Sequence, residues 1–71
     1  MRTSKHELVK MVDVLNRISG GQDLRLDGAY GGWRVENGRG EDVLGTGFTA
    51  PKTLKIALVA VTQFQRDRMR V

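Results

Sequence analysis

The sequence predicts an α+β domain in the order helix, three-stranded antiparallel meander, helix (αβββα), with both helices on one face of the sheet. Three observations predict it. Apolar residues recur at helical spacing near both ends of the chain. Between them the period changes to two, as in half-buried strands. Glycine clusters separate the segments.

The first helix spans about Lys5 to Ser19. Ser4 and Glu7 stand at capping-box spacing, where the serine oxygen takes an orphan amide of the first turn. Leu8, Met11, Val12, Leu15 and Ile18 form its apolar stripe, and Gly20-Gly21 closes it. The first two strands follow. Leu24 and Leu26 alternate with Arg25 and Asp27, and Trp33 and Val35 alternate with Arg34 and Glu36.

Gly28-Ala29-Tyr30-Gly31-Gly32 reverses the chain between those strands. A two-residue turn at Tyr30-Gly31 pairs Asp27 with Arg34, Leu26 with Val35 and Arg25 with Glu36. Both outward pairs are then opposite in charge. A four-residue loop would set Arg25 against Arg34, so the tight turn is predicted, with Trp33 covering the gap over Gly28. Trp33 is expected to be the largest core contributor, with a cost of about 3–5 kcal/mol for Trp33→Ala.

Asn37-Gly38-Arg39-Gly40 makes a second reversal, and Val43 to Phe48 reads as a third strand. The last helix spans about Ala50 to Arg68, with Thr49 as its cap and Pro51 in its first turn. Leu54, Ala57, Leu58, Val61 and Phe64 form its core stripe. Ile56, Val59 and Ala60 widen it until the helix is apolar nearly all round.

Seventy-one residues make one domain, residues 1–71, and a chain this short buries only about 60% of its unfolded surface. There is no cysteine, which fits a reducing cytoplasm, and the polar start, Met1 to Lys5, does not read as a signal peptide. No run is long enough to span a bilayer, so no membrane association is expected.

No catalytic or metal constellation is present. His6 is the only histidine, and nothing stands at ligand spacing from it. No serine or threonine has a base arranged to activate it. The Gly28–Gly32 stretch lacks a P-loop ending and leads into a strand. The chain therefore reads as non-enzymatic, with no cofactor and no small-molecule substrate.

Partner binding is expected through Tyr30 at the hairpin tip and through Ile56 and Val59, with Val9 and Val14 also off the main stripe. A symmetric homodimer or a host protein would cover these side chains. The alternative follows from the net charge of +4. Lys52, Lys55, Arg66, Arg68 and Arg70 would contact the phosphates of a nucleic acid. Gly45-Thr46-Gly47, just before the last helix, adds a place where an anion could meet backbone amides.

The segment Leu26-Asp27-Gly28-Ala29-Tyr30-Gly31-Gly32-Trp33-Arg34 resembles a block in small phage and prophage proteins. There a helix ending near a Leu-Asn comes first, as Leu15-Asn16 does here. An Asn-Gly turn follows the hairpin, matched by Asn37-Gly38-Arg39-Gly40, and Thr49 to Leu54 loosely matches the entry to a final helix. Pro51 and the short Gly20-Gly21-Gln22 link depart from that pattern. The resemblance implies a phage or prophage accessory protein in a bacterial host, without naming an activity. The element order is also similar to that of double-stranded RNA-binding domains, with Gly45-Thr46-Gly47-Phe48 ahead of Lys52-Thr53-Leu54-Lys55.

Overall fold

The computed structural model describes residues 4–20 and 23–69. Its order is α1 (Lys5–Ile18), β1 (Arg25–Ala29), β2 (Gly32–Glu36) and α2 (Pro51–Met69). The α+β class is as expected, but the sheet has two strands, not three.

α1 begins where its cap requires. The Glu7 amide donates to Ser4 Oγ at 3.2 Å, and Gly20 takes a left-handed φ of 81° just past the end. The closing Gly21 lies outside the described residues. Leu8, Val12 and Leu15 are buried, four and three residues apart on one face.

The hairpin has the register that its charges dictate. Arg25 faces Glu36, Leu26 faces Val35, Asp27 faces Arg34 and Gly28 faces Trp33. Tyr30 and Gly31 both have positive φ, 53° and 73°, as a tight turn matched to strand twist needs. A Cβ at Gly28 would sit 2.5 Å from Trp33 Cζ3, so the indole does lie over the glycine.

The third strand is a correction. Val43 to Phe48 is a loop, and only its two ends touch β2. Thr49 and Trp33 exchange backbone bonds of 2.8 and 2.9 Å, and the Val43 amide donates to the Val35 carbonyl at 3.1 Å. Bridges join Trp33 to Thr49 and Glu36 to Asp42, so three steps along β2 face seven along the other segment. The surplus residues cannot stay in a ladder. They are gathered by Asp42, whose carboxylate accepts the amides of Leu44, Gly45 and Gly47 at 3.2, 3.0 and 2.7 Å. Gly45 and Gly47 take the positive φ values that this loop demands.

Thr49 is likewise not the cap of α2. Its backbone is tied to Trp33, and the Ala50 carbonyl accepts the first helical bond, from Leu54. Pro51 opens the helix as expected.

The core lies between the helices and the inner face of the hairpin. It consists of Leu8, Val12, Leu15, Leu24, Val35, Leu54 and Leu58. Trp33 packs against it from the rim and is only partly buried, so the centre of the core is aliphatic rather than aromatic. Phe64, expected in the core stripe, is instead 60% exposed. It stands about 80° round α2 from Leu54, and a floor of two strands is too narrow to reach it.

Candidate functional site

α2 must satisfy two surroundings at once. Leu54 and Leu58 are fully buried against the hairpin and α1. Ile56, two residues from each, points about 160° away from Leu58. Lys52, Ile56, Val59, Ala60, Gln63 and Asp67 recur at steps of three and four and share this outward face. Ile56 is 64% exposed and Val59 52% exposed, as expected of residues off the core stripe. The outward-facing apolar surface continues to Phe64.

α1 runs beside α2 in the same direction. Lys55 Nζ lies 2.7 Å from Glu7 Oε1 near the start of both helices. Further along, Met11 and Val14 of α1 join Val59, Thr62, Gln63 and Arg66 of α2 around an open cleft of about 250 Å³. Val59 therefore lies where the outward face meets this cleft, and Val14, off the main stripe of α1, also lines it. Val9 is 37% exposed but stands elsewhere on α1.

Tyr30 is separate from this surface. It is 94% exposed at the hairpin tip. Its ring meets Phe48 edge-on, with centroids 5.4 Å apart. The Arg34 guanidinium lies 4.5 Å from the Phe48 centroid on the sheet face turned away from the helices. Tyr30, Phe48 and Arg34 thus form a second small cluster, which the structure does not bring together with Ile56 and Val59.

Among the described residues, the expected basic residues are not gathered into one patch. Lys55 is neutralised by Glu7. The Arg68 guanidinium lies over the Phe64 ring at 5.8 Å. Lys52 and Arg66 share the outward side of α2 but stand fourteen residues apart, about 21 Å along the axis. Arg70 lies outside the described residues. The amides of Gly45 and Gly47, read as a place for an anion, are already held by the Asp42 carboxylate.

Two residues with structural roles escaped sequence reasoning. Asn16 reaches from α1 to the entry of β1, accepting the Leu24 amide at 2.7 Å and donating to the Leu24 carbonyl at 2.8 Å. It acts as a one-residue partner strand, and no local pattern announces a bond made across a turn. Asp42 did carry a signal, glycines three and five residues later, because an Asp side chain that collects amides needs flexible backbone around it.

Among the described residues no group of three or more His, Cys, Asp or Glu side chains could hold a metal ion. His6 is exposed in the first turn of α1. No helix of the described residues is long and apolar enough to cross a membrane. Family models, curated proteins and solved structures were compared with the chain, and none matches it.

Proposed function

We propose that this chain is a non-enzymatic binding module whose working surface is the outward face of α2. In this reading it is a phage or prophage accessory protein acting in the cytoplasm of a bacterial host. It meets an apolar surface on another macromolecule, either a host protein or a second copy of itself. One observation carries the reading. Ile56, Val59 and Phe64 are each more than half exposed on a single helix whose opposite side already fills the core. Full burial of a large apolar side chain is worth about 1.5–3 kcal/mol, of which a half-exposed one forfeits a part, so a run of them on one helix favours an interface.

The test is capture from bacterial lysate by the immobilised full chain, with and without nuclease, at low and raised salt. A partner that survives nuclease and salt, and is lost with Ile56→Ser/Val59→Ser, supports the proposal. Apolar association does not weaken as salt rises from about 50 to 200 mM, whereas phosphate binding falls steeply. Capture abolished by nuclease and by salt would assign the alternative instead, a nucleic-acid module using Lys52, Lys55, Arg66, Arg68 and Arg70.

A further inference from the structure

We infer that the outward face of α2 is self-complementary and pairs antiparallel with the same face of a second copy, about a two-fold axis between Val59 and Ala60. This inference rests on the binding role of that face and names its occupant.

Charge placement selects the second copy and its orientation. α2 carries a single carboxylate, Asp67, among several cations. That carboxylate lies on the outward face, seven residues after Ala60, and Lys52 lies on the same face seven residues before Val59. An antiparallel pair centred between Val59 and Ala60 therefore brings each Lys52 level with the partner's Asp67, while the partner's Arg66 stands alongside, level with Thr53. Parallel pairing would instead set Lys52 against Lys52 and Asp67 against Asp67. Both side chains are exposed and available. Gln63 donates to Asp67 Oδ1 at 3.1 Å, which holds the carboxylate along the face. Lys55, the other cation of the first turns, is already occupied by Glu7.

The apolar residues fit the same register. Val59 meets the partner's Val59 beside the axis. Ala60, the smallest side chain of the face, stands at the crossing, where small residues let helices approach to about 8 Å. Ile56 falls level with the partner's Gln63, whose methylenes can cover it. Each chain offers the same patch to the other, so the contact closes at two copies.

Sedimentation of the full chain from micromolar to hundreds of micromolar tests this. The wild type should pass from monomer to dimer, and Ile56→Ser/Val59→Ser should stay monomeric throughout. Lys52→Glu and Asp67→Lys should each weaken the dimer by about threefold to tenfold, and the two combined should restore it to within about twofold. Each charge change suits the dipole of α2, an acid near its N-terminus or a base near its C-terminus, so weakening would not report misfolding. A wild type that stays monomeric, a dimer indifferent to Ile56 and Val59, or a combined charge swap that fails to restore affinity would overturn the inference. If the wild type is monomeric yet lysate capture still needs Ile56 and Val59, the dimer fails and the binding role stands. If capture ignores those residues while the dimer forms and obeys the charge swap, the dimer stands and the wider binding role fails.

Discussion

The two helices use their apolar residues differently. α1 places Leu8, Val12 and Leu15 in the core and keeps Met11, Val14 and Ile18 partly covered, so only Val9 stands at the margin of exposure. α2 buries Leu54 and Leu58 as completely, yet it leaves Ile56, Val59 and Phe64 largely in water. Folding accounts for the apolar content of α1. It accounts for only one side of α2. The surplus on the other side gains little from the folding of the monomer, and under the proposed binding role a partner would cover it.

The sharpest way to break this contrast is to cut the same kind of side chain on the two sides of α2. Leu58→Ala should cost about 2–5 kcal/mol, because its site is sealed and a cavity remains. Ile56→Ala should change the monomer's stability by no more than about 0.5 kcal/mol. Urea midpoints at a concentration where sedimentation finds only monomer measure both. A large loss at Ile56 under those conditions would mean that its surroundings in the monomer are closed.

Trp33→Ala should cost about 3 kcal/mol, the lower end for a tryptophan, since the ring sits at the rim. Its loss also uncovers Gly28. An unchanged midpoint would show that the indole contributes only surface and would move Trp33 to the list of binding residues.

Asp42→Ala should cost about 1–3 kcal/mol, because three amides lose one shared acceptor. The loss should appear as faster amide exchange at Leu44, Gly45 and Gly47, with α1 unaffected. A small effect is also expected at the strut between the helices. Glu7→Gln should cost no more than about 1 kcal/mol, since both partners are well exposed, and added salt should erase the difference.

How far the sequence reveals this molecule depends on where the deciding interaction lies. The hairpin was legible because its register follows from side chains directly opposite one another. Only one alignment pairs Arg25 with Glu36 and Asp27 with Arg34. The third strand was misread because Val43 to Phe48 has the composition of a strand, while its conformation is set by the Asp42 carboxylate taking amides from the backbone. Phe64 was misplaced for a related reason. A helical stripe says which residues share a side, but the width of the floor beneath them depends on strands elsewhere in the chain. Tyr30, Ile56 and Val59 were legible as exposed because they fall at a turn tip or off the stripe. Their separation into two surfaces needed the fold.

Whether the outward face of α2 meets a second copy, as proposed, is directly measurable because the chain has no cysteine. A single cysteine placed beside the proposed axis, Ala60→Cys, reports the approach of the two helices, since a disulfide forms only where Cα atoms come within about 7 Å. Lys10→Cys, on the exposed side of α1, serves as the control. Under mild oxidation Ala60→Cys should cross-link rapidly to a covalent dimer at tens of micromolar, and Lys10→Cys should remain a monomer. Equal rates at the two positions, or no cross-linking at Ala60→Cys, would contradict the proposed pairing.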